Sequence, residues 1–376
     1  MPETHLCSSP ARLHFGLLTV GNSLEYRYGG AGLMIDGPNT VVEVRHTDRL
    51  EVLGASSEVT LRTIEHWYSK NQTMLATDFA VHQLAELPLR IEVLQTPPRH
   101  SGFGSGTQLA FSVITATMQC LGLPIPSAKE LAVATGRGQR SAIGSHGFRR
   151  GGFLVDRGIA SDPGIASDPG IAGDSGIAGD RVIAGDQETA SGQQLAPLDL
   201  RIDFPTDWPI VTVVPRGAQG VSGSDEKAAF KNLAPSTPQH RQQMTELLKT
   251  TIVPAVMTQN YDSFAAGIFE YGHRSGRMFE AIQGGPYNGP TIERVVNLVR
   301  EFGVTATGQS SWGPCVFAVL STKNQAEKLV AFLNQRVPAD TQIDTWTADN
   351  RGMRLTTKNT EITTPSNSRK PSPEAT

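Results

Sequence analysis

Cysteine is scarce: the 376 residues hold only Cys7, Cys120 and Cys315. They lie far apart and lack metal-ligand spacing. That excludes a disulfide framework and points to buried or free thiols in a reducing compartment. Charge is sparse too, at 18% of residues with a net charge of −3. No global basic field argues for nucleic acid. No apolar run approaches the roughly 18 residues of a membrane span. Met1-Pro-Glu-Thr-His5 does not open a basic segment leading into an apolar one, as a secretory signal would. The expectation is a soluble, cytoplasmic protein with no membrane and no nucleic-acid partner. Apolar residues, by contrast, are plentiful: 38% hydrophobic content supplies cores for one large or two ordinary domains.

Strand and helix patterns mix along the chain without strict alternation, which argues for an α+β fold. Alternation predicts strands at Arg12–Leu18, Asn39–Arg45, Leu50–Leu53 and Leu89–Leu94, with Gly151–Asp156 following. Helical spacing predicts helices over 60–87 and 109–121, and a short one at Ser127–Thr135. Ser127 with Glu130 three positions on has the capping-box spacing. Further on, proline-bounded Pro209–Pro215 reads as a buried strand. Helices are expected at 224–233, 238–259, 261–282, 291–302 and 326–336, with another strand at Pro314–Leu320.

Residues 158–187 form five hexads, GIASDP, GIASDP, GIAGDS, GIAGDR and VIAGDQ. A left-handed β-helix needs about three hexads per turn, so five are too few for a core. Gly, Pro and Asp disfavour strands, and the segment reads as a flexible surface insertion without chemistry. The polar, Pro- and Ser-rich stretch 357–376 reads as a disordered tail.

The chemistry concentrates in four glycine-rich segments. The most informative is His100-Ser-Gly-Phe-Gly-Ser-Gly-Thr-Gln-Leu-Ala110, which runs from a strand into an apolar helix. Its alternate glycines allow a tight bend, and a helix start presents unpaired amides that attract anions. Arg99 and His100 stand at its edge. The second segment combines Arg12 and His14 with Tyr26-Arg-Tyr-Gly-Gly-Ala-Gly-Leu33. The third is Thr135 to Arg150, with four arginines and a histidine among four glycines. The fourth is Ala306-Thr-Gly-Gln-Ser-Ser-Trp-Gly-Pro314. Arginine forks match phosphate oxygens, and glycine lets backbone amides join them. Together the four segments point to a polyanionic small molecule. His14 and His146 are both candidates for acid–base work.

In order and content these segments resemble the GHMP kinase superfamily, and within it the beta-ribofuranosylaminobenzene 5'-phosphate synthase family. The resemblance rests on Ala11-Arg-Leu-His-Phe-Gly-Leu-Leu18, Tyr28-Gly-Gly-Ala-Gly-Leu33 with Ile35-Asp36, and Ser101-Gly-Phe-Gly-Ser-Gly-Thr-Gln-Leu109. It continues through Gly136-Arg-Gly-Gln-Arg-Ser-Ala-Ile-Gly144, Gly151-Gly-Phe-Leu-Val-Asp156, Phe204-Pro with Trp208, and Gly308-Gln-Ser-Ser-Trp-Gly-Pro314. It spans about residues 6–356 apart from the hexads.

The resemblance implies a two-lobed α+β GHMP-kinase-like fold with a ferredoxin-like C-terminal lobe. The N-terminal lobe is expected at 5–157 and the C-terminal lobe at 188–356. It also implies condensation of phosphoribosyl pyrophosphate with 4-aminobenzoate or 4-hydroxybenzoate, with loss of carbon dioxide and pyrophosphate. That step belongs to tetrahydromethanopterin biosynthesis. Mg2+ is expected on the pyrophosphate, its protein ligands unassigned, and a homodimer is compatible with the family.

The expected phosphate site is Ser101, Gly102, Gly104, Ser105, Gly106, Thr107 and Gln108 with Arg137, Arg140, Ser141 and Arg149. Arg12 or Arg27 is expected on the aromatic carboxylate, with His14 as acid–base group. Gly308, Gln309, Ser310, Ser311 and Gly313 form the C-terminal glycine-rich loop. Two departures separate the chain from a kinase pattern. Gly106 replaces the second serine of the usual Gly-Leu-Gly-Ser-Ser-Ala loop, and Gly144 stands where the kinase aspartate follows the Ser-Gly-Ile step. An ATP-dependent small-molecule kinase and a non-catalytic binding protein on the same fold remain the alternatives.

Overall fold

A computed structural model describes residues 3–21, 25–138, 140–161, 195–217, 220, 228–230 and 233–359, together with the backbone of 182–184. The chain opens on β1 (Glu3–Leu17), β2 (Tyr26–Arg27), β3 (Gly30–His46) and β4 (Glu51–Gly54). Helix α1 (Ser57–Phe79), β5 (Leu89–Gln95), α2 (Ser105–Cys120), α3 (Ala128–Thr135) and α4 (Ile143–Arg150) follow. Next come β6 (Phe153–Asp156), β7 (Ile159–Ala160), β8 (Val182–Ala184), β9 (Leu198–Ile202) and β10 (Ile210–Val214).

One eight-stranded sheet runs β14 (Arg354–Asn359)-β1-β3-β6-β9-β8, with β5 and β4 alongside. β3 is long enough to serve two partners on one edge. Gly30–Leu33 pair with β6, and Val41–His46 pair with β5. Helices α1, α2 and α3 cover a face of this sheet, burying Trp67, Phe111 and Leu131 against Val42, Val44 and Ile91. α2 is enclosed on nearly every side, and its buried residues form no single stripe but include Ser112, Thr115 and Thr117 among the apolar ones.

The second sheet is antiparallel, in the order β11 (Thr307–Gln309), β12 (Val316–Val319), β10 and β13 (Gln342–Trp346). Between β10 and β11 lie α5 (Pro238–Leu247), α6 (Val253–Met257), α7 (Tyr261–Arg277), α8 (Glu280–Gln283) and α9 (Pro290–Glu301). Helix α10 (Lys323–Asn334) joins β12 to β13. That is the βαββαβ arrangement of a ferredoxin-like lobe. A shared core fuses the lobes: Phe15 of β1 packs on Phe317 of β12, ring centres 4.9 Å apart, and on Phe153 of β6 at 6.2 Å. Among the described residues no helix is long and apolar enough to cross a membrane.

Several sequence expectations shift. The helix expected over 60–87 stops at Phe79, where Ala80 turns left-handed (φ +54°) and returns its N–H to the Leu75 carbonyl. Residues 143–150, read as part of a polar loop, form α4. The lobe boundary falls after β9, not at 188, because Leu198–Ile202 pairs with β6 in the first sheet. β14 (Arg354–Asn359) then returns to flank β1, so residues 357–359 of the expected tail are strand. Residues 360–376 lie outside the described residues. The hexad stretch is tied down at both ends. Ile159 and Ala160 of the first hexad pair with Arg27 and Tyr26, and Val182–Ala184 of the last pair with β9. The hexads between them, 162–181, lie outside the described residues, as does most of the helix expected at 224–233.

Candidate active site

The site forms where three chain segments knot together at the lobe junction. The backbone N–H of Arg12 on β1 donates to the Phe103 carbonyl in the glycine turn, 2.9 Å. Ser310 bridges the other two segments: its hydroxyl donates to the Gly102 carbonyl at 2.7 Å and accepts from the His14 N–H at 3.0 Å. The Ser311 N–H reaches the His14 carbonyl at 3.0 Å, and the Cys315 N–H reaches the Ser101 carbonyl at 3.2 Å. Each segment fixes the others, so the glycine turn is held rigid before any ligand arrives.

Two chambers open from this knot, of about 440 and about 500 Å3. They share Arg12, Thr107, Arg137, Arg140, Ser311 and Trp312. The first is cationic: Arg99 and His100 join the shared arginines around Gly102, Gly104, Ser105 and Gly106. Gly104 caps α2 with φ +70°, and a side chain there would meet Arg12 at 3.2 Å. Only glycine both bends the turn and lets the guanidinium pass beneath it. The amides of Thr107 and Gln108 turn back onto the Gly104 carbonyl. The remaining first-turn amides belong to residues lining the chamber, at the positive end of the helix. The Arg137 guanidinium, at the solvent-reached mouth, is pulled below its ordinary pKa by lost hydration and then by the charge of Arg99. Two cations crowded this way gain from an anion between them.

The second chamber is aromatic. Phe279 packs edge to face on Phe230 and Trp312, which are tilted against each other, with centroids 4.8 to 5.6 Å apart, and Phe15 and Tyr287 complete the wall. Arg140 lies over the Phe230 ring at 4.6 Å, on the border between the chambers. His14 and Ser141 supply polar atoms to the same wall. Behind them, His14 Nε2 is 3.0 Å from the Ser141 hydroxyl, which donates to Asp156 Oδ2 at 3.1 Å. Asp156 is fully buried and also accepts the Ala142 and Gly158 N–H groups, at 2.9 and 3.1 Å. Burial pushes its carboxyl up to about 7 against those hydrogen bonds. Burial, and secondarily the charge of Arg12, holds the His14 imidazole well below its ordinary value, so it is neutral at pH 7.

Not every expected residue reaches the site. Arg27 sits on β2, pairs with β7 and lines neither chamber. Arg149 points away, its guanidinium donating to the Pro126 carbonyl. His146 is bonded to the Ala196 carbonyl at 2.9 Å. Gln108 is buried and ties α2 to α4 through the Gly144 carbonyl, 2.9 Å. Ser101 is buried and donates to the Pro98 carbonyl. Gly308 and Ser310 are scaffold, whereas Gln309, Ser311 and Gly313 line the walls.

Sequence reasoning gave no role to Asp156 or to the aromatic wall. Asp156 closes a strand motif whose two glycines drew attention instead, and the aromatic residues are scattered singly along the chain. Among the described residues no carboxylate lines either chamber, and no cluster of His, Cys, Asp and Glu could hold a metal. The described residues alone do not fit a resident Mg2+ site, which would use one or two carboxylates.

Known proteins agree with this architecture. The description "GHMP kinases N terminal domain" matches residues 71–148, and "GHMP kinases C terminal" matches 252–339. The chain carries both GHMP kinase matches and has the GHMP-kinase-like fold. A beta-ribofuranosylphenol 5'-phosphate synthase from Methanothermobacter thermautotrophicus is 28% identical over 319 residues, 85% of this chain and 89% of that protein. One of the same name from Methanocaldococcus jannaschii is 27% identical over 331 residues, 86% and 92% of the two chains. Among solved structures, homoserine kinase from Cytophaga hutchinsonii superposes with a TM-score of 0.57 at 14% identity, covering 94% of this chain and 97% of its own. That likeness speaks to the fold, and the synthase relatives bear out the motif resemblance.

Proposed function

We propose that this protein is a synthase that joins a ribose 5-phosphate unit to an aromatic ring. Phosphoribosyl pyrophosphate would be the donor and 4-hydroxybenzoate or 4-aminobenzoate the acceptor, an early step of tetrahydromethanopterin biosynthesis. The observation that carries the reading is the pairing of a cationic, glycine-lined chamber with an aromatic one across a shared rim of arginines. The first suits a polyphosphate leaving group and the second a flat ring. Departure of pyrophosphate leaves an oxocarbenium-like carbon, and the amides and arginines stabilise the departing charge where it develops. The ring is held beside that short-lived cation, which raises its effective concentration. Arg12, on the border, is placed to meet the ring's carboxylate before it leaves as carbon dioxide. Mg2+ would enter as the counter-ion of the pyrophosphate substrate.

A kinase on this fold needs a group to orient or deprotonate its nucleophile. Gly144 stands at that place here, 3.8 Å from Arg12 Nε when measured from an added Cβ, and no carboxylate among the described residues lines the chambers. The test mixes the purified protein with Mg2+, phosphoribosyl pyrophosphate and each carboxyl-labelled acid, and counts carbon dioxide. Release requiring both substrates is expected. No release from folded protein, with stabilisation by ATP, would transfer the case to the kinase.

A further inference from the structure

We propose that His14, backed by Ser141 and Asp156, is the base that takes the phenolic proton of a hydroxylated acceptor, turning the ring into its more nucleophilic phenolate. This rests on the synthase reading and assigns one end of its acceptor chamber. The hydrogen bonds fix the direction of the chain. Ser141 has one hydroxyl proton and gives it to Asp156 Oδ2, so it can only accept from His14 Nε2. Assigned from this network, the neutral imidazole carries its proton on Nε2. Nδ1 is then a lone pair, with no hydrogen-bond partner among the described residues, on a side chain that lines the aromatic chamber.

The spacing fits a para-substituted ring. Arg12 and His14 lie on one face of β1, where two residues advance about 6.6 Å. Their pairing with Met34 and Gly32 of β3 is regular across this stretch. That span accommodates a ring whose carboxyl carbon faces Arg12 and whose para oxygen sits one hydrogen bond, about 2.8 Å, from His14. Arg12 lines both chambers, so the reacting carbon faces the phosphate side, while His14 lines only the aromatic chamber.

The step balances without a co-reactant. The phenol O–H bond breaks and the proton passes to Nδ1. The electron pair pushed through the ring forms the bond from the carboxyl-bearing carbon to the ribose carbon, as the ribose C–O bond to pyrophosphate breaks. The ring-to-carboxylate bond then breaks, carbon dioxide leaves, and its electron pair restores the aromatic ring. The phenolate recovers its proton from His14. An imidazolium formed in transit is opposed by Arg12 and supported by Asp156 through Ser141. Asp199 on β9 and Tyr271 on α7 are the other titratable groups that Asp156 senses. An amino acceptor donates its lone pair while neutral and needs no such base, so Ser141 and Asp156 are positioning residues for one acceptor class only.

The experiment compares wild type, Ser141→Ala and Asp156→Asn with 4-hydroxybenzoate, 3-fluoro-4-hydroxybenzoate and 4-aminobenzoate, following carbon dioxide release and thermal unfolding. Both variants are expected to lose at least about 10-fold in kcat with the hydroxy acid. They should stay within about 3-fold of wild type with the amino acid. The fluorinated acid, a stronger phenol, should recover part of the loss. Equal losses with both acceptors, or none with either, would overturn the proposal, as would a wild type that uses only the amino acid. Ser141→Ala keeps the test open if Asp156→Asn does not fold. Release with neither acid from wild type is a separate result that removes the synthase reading itself.

Discussion

Placing a carboxylate at residue 144 separates the two chemistries this fold can house. Gly144 lies in the first turn of α4 with ordinary helical backbone. An added Cβ would meet only Gln108 Nε2 at 3.5 Å, Arg12 Nε at 3.8 Å and Thr107 Cγ2 at 3.8 Å, all normal contacts. Gly144→Ala is therefore expected to leave kinetics unchanged and to gain up to about 1 kcal/mol of stability, since alanine suits a helix better than glycine. Gly144→Asp brings a charge within reach of the Arg12 guanidinium. At about 4 Å and an effective dielectric of 20, that attraction is of order 4 kcal/mol before desolvation. Arg12 would turn to the new carboxylate and away from the acceptor's. A charge-assisted hydrogen bond contributes roughly 1.5–3 kcal/mol, so KM for the aromatic acid should rise about 10- to 100-fold. KM for phosphoribosyl pyrophosphate, still met by Arg99, Arg137 and Arg140, should move much less. Steady-state release of labelled carbon dioxide, varied in each substrate, reads both constants. A Gly144→Asp enzyme with an unchanged acceptor KM, or with the donor KM shifted more than the acceptor's, would refute the placement of Arg12.

Other consequences arise from the same geometry. Arg137→Ala should raise KM for phosphoribosyl pyrophosphate by about 10- to 100-fold, the loss of one charged hydrogen bond. Arg149→Ala, a residue outside both chambers, should stay within about 2-fold, and equal effects in a side-by-side assay would count against the assignment. Excising 162–181 should preserve activity and Tm, whereas excising 158–187 should lower Tm, because it removes the Gly158 N–H from Asp156 and the β2–β7 and β8–β9 pairings. Asp156 also gives a pH signature. Its carboxyl is raised from 3.8 to about 7 on folding, so the native state holds the proton more tightly than the unfolded chain. The stability it contributes is full below about pH 4 and is lost as pH rises toward 7, by a total on the order of 4 kcal/mol. Denaturant unfolding of wild type and Asp156→Asn from pH 4 to 8 should show their difference changing across that window, and a constant difference would contradict the upward shift of the buried carboxyl.

Local chemistry was legible in the sequence, and contacts between distant segments were not. The strand Leu89–Leu94, the glycine turn and its helix, and the Ser127 cap are each decided within a few residues, and each stands where the pattern put it. Ser127 accepts from the Glu130 N–H as the capping box requires. The glycine turn could be read as anion-binding because turn, glycine and helix start are contiguous. Arg149 looked like its partner, and Arg27 like a partner for the aromatic carboxylate, because composition counts arginines but cannot aim them. Six of the eight residues of α4 are glycine, serine, histidine or arginine, beside buried Ile143 and Phe148, and its helical form is imposed by packing on Met34 and Leu154 rather than by propensity. The aromatic chamber lay beyond reach for the same reason: Phe15, Phe230, Phe279 and Trp312 are separated by tens to hundreds of residues and converge only when the second lobe closes on β1. The same limit hid the role of Asp156. Its strand was visible, but a buried aspartate at a strand end is ordinary until Ser141 and His14, 15 and 142 residues away, are seen to connect it to an aromatic-lined cleft. The glycine turn of the anion half is built from neighbours in sequence, whereas its arginine rim and the whole acceptor half are built from neighbours in space.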